Sequence, residues 1–189
     1  MNPVIDAIRK RRSVRSFAQV HIPRDIMEVI LEAGNQAPSA MNSQPWRFVV
    51  VEDRRLRKKL IKAARPYALK FVESLKDTDP EKYEALRKRQ EEADDPIFYS
   101  APAIIFVIGR GHYADASCPL ACENIMLAAH SLGLGTCWIG LGAMVADDPE
   151  VREALEMGAD EKIFGPIAVG TPEEYPEPPA KRPPDIKWI

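Results

Sequence analysis

Three short apolar runs, at residues 48–51, 103–108 and 167–169, alternate along this chain with longer stretches of helical periodicity. The runs are rich in β-branched residues and read as core strands. Residues 137–139 read as a further short strand. Between them, Val4, Ile5 and Ile8 predict a helix over about residues 3–11. Pro23 opens a second helix, with Ile26, Val29, Ile30 and Ala33 as its apolar stripe and Gly34 as its stop. Residues 54–64 and 67–75 predict two more. Asp115 or Ser117 caps a long apolar helix that ends near Ser131, with Gly133 beyond it, and Pro149 starts a last helix that Gly158 stops. Helices outnumber strands and alternate with them, so the expected class is α+β, built in layers.

A chain of 189 residues with 46% hydrophobic and 29% charged residues can bury a core without disulfides or metals. The net charge of −2 gives no global field toward nucleic acid or an anionic membrane. No segment approaches the roughly 20 apolar residues that span a bilayer, and no signal-peptide pattern opens the chain. The expectation is a cytoplasmic protein. Its three cysteines, Cys118, Cys122 and Cys137, make no disulfide framework. Cys118 and Cys122 share a helix face but lack further ligands for a metal site, so packing is their expected role. His130, near a helix C-terminus, suits a dipole partner better than a catalyst. Residues 76–95 form a dense charge run that reads as a solvated helical excursion. From residue 171 onward the chain is proline-rich and extended, yet it ends in Ile186, Trp188 and Ile189, apolar residues that need a surface to cover.

Three constellations carry chemical potential. Arg11-Arg12-Ser13-Val14-Arg15 lies just past the first helix; forked, permanently charged donors and a hydroxyl suit a phosphate monoester, although the same cluster also suits a solvated basic face. The second runs from Ala37 to Trp46 and holds Pro38, Ser39, Asn42 and Gln44 between prolines. Its fixed donors and acceptors suit the pyrimidine edge of a flavin or a sugar-like chain, or else a loop that satisfies its own backbone. The third is the glycine-rich turn Gly133-Leu134-Gly135 with Trp138-Ile139-Gly140-Leu141-Gly142, where backbone N–H groups can approach a planar ligand. It lacks the spacing of a dinucleotide fingerprint and the Gly-Lys-Ser/Thr of a phosphate loop.

In order along nearly the whole chain, these segments resemble the FMN-dependent nitroreductase family. The resemblance rests on residues 11–17, 37–48, 124–135 with Trp138-Ile139-Gly140, and Arg182. It implies a layered fold with a mostly antiparallel central sheet, in one domain over residues 1–189. It also implies a homodimer whose tail, residues 171–189, extends onto the partner subunit, and two FMN sites at the interface. By that likeness Arg11, Arg12, Ser13 and Arg15 hold the phosphate and the pyrimidine edge. Pro38, Ser39, Asn42 and Gln44 come from the other chain; Trp138, Gly140 and Leu141 face the ring; Arg182, with Lys181 beside it, closes the phosphate site. The implied activity passes electrons from NAD(P)H through FMN to a small acceptor such as a nitroaromatic or quinone, in two half-reactions. No catalytic side chain is required, because the flavin carries the chemistry. Alternatives on the same fold are a reductive dehalogenase, a flavin-fragmenting enzyme or a non-enzymatic FMN-binding redox sensor. Residues 66–99 are the place for a substrate lid, with Tyr67, Phe71, Tyr83, Phe98 and Tyr99 available either to stack on a substrate or to pack.

Overall fold

In the computed structural model of the chain, residues 2–189 are described. Helix α1 (Pro3–Lys10) starts where the Asn2 side chain accepts from the Val4 N–H at 2.9 Å, with a proline at the first helical position. Helix α2 (Arg24–Asn35) follows, then strand β1 (Trp46–Val51) and helix α3 (Arg54–Glu73), whose first turn is capped by Asp53. Next come α4 (Pro80–Glu92), β2 (Ala103–Gly109), α5 (Ala114–Ser131) and β3 (Gly135–Trp138). A 3-10 segment (Gly140–Asp147), α6 (Pro149–Ala154) and β4 (Lys162–Gly170) complete the order.

The sheet runs β1-β2-β4-β3 with every neighbouring pair antiparallel. Side chains alternate across β2, so Ile104, Phe106 and Ile108 join one core with α3 and α6, while Ala103, Ile105 and Val107 join another with α2 and α5. Burial on both faces explains why the 103–108 run carries no polar side chain. The result is a helix–sheet–helix sandwich, the layered α+β class expected.

Several boundaries differ from the sequence reading, each for a physical reason. The two helices expected over 54–64 and 67–75 are one, α3, which ends at Glu73. Pro66 forfeits a backbone bond inside α3, but it is exposed, and the buried stripe Leu60, Ala64, Ala68 and Val72 continues unbroken past it. Gly34 does not stop α2 but lies within its last turn; a Cβ there would sit 2.6 Å from the Ile125 side chain, so the glycine lets α2 and α5 touch. Strand β4 is longer than the apolar run at 167–169. Gly165 pairs with Val107 and Ile163 with Ile108, which leaves Phe164 as a bulge beside Pro166. The long helix α5 begins at Ala114 without a side-chain cap, instead of at Asp115 or Ser117, and Gly133 past its end takes φ +80°.

Candidate functional site

The arginine-rich segment is laid along the outer edge of β3. The Val14 N–H donates to the Thr136 carbonyl at 2.9 Å, and Ser13 forms a parallel bridge with Thr136. Val14 is fully buried, and a Cβ on Gly135 would sit 2.7 Å from its side chain. This buried anchor turns its neighbours Ser13 and Arg15 outward. The same edge leads through Trp138 into the 3-10 segment, whose first N–H groups, on Gly140 and Leu141, have no intrahelical acceptor. Space around Gly140 is open: a Cβ placed there meets nothing within 4 Å.

Two cavities meet at Arg15. The larger, about 750 Å³, is a basic cleft lined by Arg9, Arg11, Arg12, Ser13, Arg15 and Lys181, with Glu123 and Glu177 at its walls. Within it Arg12 folds back on the end of α1, and its Nη1 donates to the carbonyls of Arg9 (2.7 Å) and Arg11 (2.6 Å). Its Nε is buried and, among the described residues, has no hydrogen-bond partner. Arg11 faces Glu123 at 3.6 Å and Arg15 donates to the Ser13 carbonyl at 3.2 Å. The smaller cavity, about 170 Å³, is bounded by Trp138, Gly140 and Leu141 on one side and by α3, α4 and Tyr99 on the other.

The proposed tail contact reaches the cleft through Lys181, whereas Arg182 is exposed and is not among the lining residues. Among the described residues, the tail's hydrogen bonds lie at its start. Phe17 bridges Pro172, the Glu173 N–H donates to the Ser16 carbonyl at 3.2 Å, and the Tyr175 hydroxyl donates to the Leu134 carbonyl. Ile186, Trp188 and Ile189 are exposed in the single chain, Trp188 at 90%.

The second constellation stands apart from both cavities. Ser39, Asn42 and Gln44 hold one another: the Gln44 N–H donates to Ser39 Oγ at 3.0 Å, and the Asn42 N–H donates to the Ser39 carbonyl. Met41, Asn42 and Gln44 all have positive φ, a conformation that costs roughly 1–3 kcal/mol each. Pro38, Asn42 and Gln44 are exposed, and Gln44 borders a different cleft with Arg47 and Glu161. Arg47 donates to both carboxylate oxygens of Glu161 (2.9 and 2.7 Å), and the pair pulls the Glu161 carboxyl down to about 2.

The remaining candidates resolve toward packing. Burial pushes the Cys118 and Cys122 thiols up to about 12, which makes them inert at neutral pH. His130 lies in the last turn of α5, as its expected dipole role requires, and burial, with Arg11, Arg12 and Lys10 nearby, lowers its pKa. Its ring packs edge-on against Tyr175. Phe98 is fully buried in the core, and Tyr67 donates to Asp147 at 2.9 Å. Of the excursion's aromatics, Phe71 and Tyr99 reach the small cavity. So do Arg89 and Gln90 of α4, which the sequence reading passed over inside the charge run. Their signal was the spacing of Tyr83, Leu86 and Gln90, an inward stripe on an otherwise polar helix. No group of three or more His, Cys, Asp and Glu side chains converges as a metal site among the described residues, and no helix there is long and apolar enough to cross a membrane.

Comparison with known proteins gives concordant matches. The sequence pattern of the nitroreductase family matches residues 8–171. An NADH dehydrogenase of Thermus thermophilus is 31% identical, covering 92% of this chain and 91% of that one. An iodotyrosine deiodinase of Thermotoga neapolitana is 30% identical over 83% of this chain and 80% of its own. A nitroreductase of Bacteroides fragilis, solved with bound FMN, superposes with a TM-score of 0.81 at 30% identity, covering all of both chains.

Proposed function

Because the chain belongs to the nitroreductase family, we propose that it is an FMN-dependent oxidoreductase that takes electrons from NAD(P)H and delivers them to a small organic acceptor. The observation that supports this reading is the junction at Arg15, a wall shared by a basic cleft suited to one terminal phosphate and by a cavity beside backbone N–H groups that lack an intrahelical acceptor. The donor set fits FMN. Arg11, Arg12, Ser13 and Lys181 offer charge to a phosphate, the buried Arg12 Nε lacks an acceptor, and Gly140 leaves room beside the β3 edge. No adenylate-binding motif accompanies them, which favours FMN over FAD.

FMN, when bound, supplies a two-electron carrier that hydride can enter and leave without a side-chain acid or base. The chain's own residues bind and tune. Arg11 and Arg12 fix the phosphate; Arg15, at the junction, stabilises negative charge at the ring's pyrimidine edge; Gly140 and Leu141 present N–H donors to the ring. Trp138, 36% exposed, supplies apolar surface that limits water at the reacting face. The net reaction with a nitroarene consumes NAD(P)H and one proton and yields NAD(P)+, the nitrosoarene and water.

A homodimer follows from the same reading. Pro38, Ser39, Asn42 and Gln44 sit on a stiff, exposed loop away from their own cleft, in keeping with a role in the partner's site, and the exposed end of the tail supplies apolar surface for that partner. One domain holds both elements, and a cytoplasmic location suits a nicotinamide-linked reductase. A reductive dehalogenase is the second reading. It is favoured by the 30% identical deiodinase and by the aromatic lining at Phe71 and Tyr99; there NAD(P)H and an aryl halide would yield the arene, NAD(P)+ and halide.

Steady-state assays with NADH and NADPH against a nitroarene, a quinone and a halophenol test these readings. Parallel double-reciprocal lines with the nitroarene or quinone are expected. Turnover confined to the halophenol favours the dehalogenase, and no nicotinamide oxidation with any acceptor overturns the enzymatic reading.

A further inference from the structure

The small cavity beside Trp138 has a wall that cofactor binding leaves unused. Its outer side is built by α4 and by the turn at residues 95–100, and that turn is held under strain. Tyr99 and Ser100 both take positive φ, +60° and +55°. Asp95 offsets the cost by accepting from the N–H groups of Ile97, Phe98 and Ser100 at 3.1, 2.8 and 3.0 Å, and Gln19 Nε2 donates to the Ser100 carbonyl at 2.8 Å. The consequence is a fixed Tyr99 ring between two cations: the Arg89 guanidinium carbon lies 4.3 Å from the ring centroid and that of Arg15 lies 5.9 Å away.

Neither guanidinium has a carboxylate within ion-pair distance among the described residues, and the cavity lining contains no Asp or Glu. Elsewhere on α4 the cations are answered: Arg87 pairs with Glu84 and Glu91, and Lys88 with Glu92. Beside Arg89, Gln90 is only 6% exposed, lines the same cavity, and its Oε1 is buried without a hydrogen-bond partner. A buried carbonyl oxygen left unpaired is costly, and so invites a donor from a ligand. Arg65 holds this stretch of α4 in place by donating to the Gln90 carbonyl at 2.8 Å.

We infer that this cavity selects a single-ring aromatic acceptor carrying a carboxylate and a hydrogen-bond donor, with Arg89 taking the carboxylate and Gln90 Oε1 the donor. The inference rests on the reductase reading for turnover but not for binding. Apolar walls from Leu86, Ile97 and Leu141 take the ring, and Tyr99 fixes the guanidinium plane that meets the acid. With the Arg15 charge assigned to the cofactor, Arg89 is the cation left for the acceptor. It is therefore a specificity residue and not part of the electron path.

The test compares para-nitrobenzoate with its uncharged methyl ester, which brings no hydrogen-bond donor, in steady-state turnover of the flavin-loaded enzyme. Titration calorimetry with benzoate and methyl benzoate runs beside it. The wild type is expected to favour the acid in kcat/KM by roughly tenfold or more, the range of one charge-assisted hydrogen bond. Arg89→Ala is expected to collapse that ratio toward unity, with Arg89→Lys restoring part of it. Arg87→Ala, which removes the same charge from the outer face of α4, is expected to leave the ratio unchanged. A wild type with no preference for the acid overturns the inference without any variant, which also covers an Arg89→Ala protein that fails to fold. A ratio that falls equally in Arg87→Ala overturns the assignment to Arg89. If neither nitro compound turns over, the reductase reading fails; benzoate binding stronger than methyl benzoate then still supports the cavity assignment, and equal binding overturns it.

Discussion

The segment at residues 11–15 and the loop at residues 38–44 are both short, polar and rich in fixed donors, yet the fold treats them oppositely. The first is pinned to the sheet through Val14 and the Thr136 carbonyl, and its arginines line a cleft of their own chain. The second closes on itself through Ser39, carries three residues at positive φ and turns its side chains to solvent. Backbone strain of that kind persists only where the structure over-determines it. Under the proposed dimeric site, the first segment is the half that stays within its own chain and the loop is the half offered to the partner.

The strongest way to break this comparison is to loosen the pinned half. Gly135→Val places new methyl groups against the fully buried Val14, an overpacking expected to cost about 1–3 kcal/mol and to lower flavin occupancy with it. Urea denaturation and the absorbance ratio of flavin to protein report both effects; normal occupancy would mean that the anchor does not position the arginines. Arg15→Ala is next. Loss of one charge-assisted contact is expected to weaken FMN binding by about 1.5–3 kcal/mol and to slow flavin reduction, both readable by titration and stopped flow. The loop behaves differently. Asn42→Gly, which keeps the positive φ without strain, is expected to change unfolding free energy by no more than about 0.5 kcal/mol while lowering flavin occupancy. Equal losses of stability from the loop and the anchor would erase the distinction drawn here.

The cleft beneath the loop sharpens the comparison through pH. Arg47 holds the Glu161 carboxyl at about 2, below its ordinary 4.5, so the folded state gains from ionised Glu161. That stability is complete above about pH 4.5 and drains away as pH falls toward 2. Urea midpoints for wild type and Glu161→Gln are expected to differ at pH 6 and to converge near pH 2. The smallest effect on turnover is expected from Cys118→Ala with Cys122→Ala. Their thiols are held protonated inside the core, so activity should survive while thermal unfolding shifts down.

The same two regions mark how far the sequence could be read. Strand positions and the helix–sheet layering were legible because burial on two faces leaves runs such as residues 103–108 without a polar side chain. The arginine cluster was legible because three arginines and a serine fall within five residues just past a helix end. The continuity of α3 through Pro66 was not, since proline's local cost is visible in sequence and the tertiary stripe that overrides it is not. Nor was the β4 bulge at Phe164, which depends on register with β2. Arg89 and Gln90 were lost among charges: one cation in a run of them looks like its neighbours until the fold shows which one lacks a carboxylate. Lys181, named beside Arg182 by the family resemblance, is the tail cation that lines the cleft; the extended tail has no periodicity from which the sequence could tell which of the two turns inward.

The account stands or falls on the group held at the Arg11–Arg15 segment. Purified protein, denatured and its released chromophore resolved by chromatography, is expected to yield FMN in proportion to the chain, with occupancy falling in Arg15→Ala. Recovery of FAD, or protein that neither carries flavin nor takes up added FMN, would contradict it.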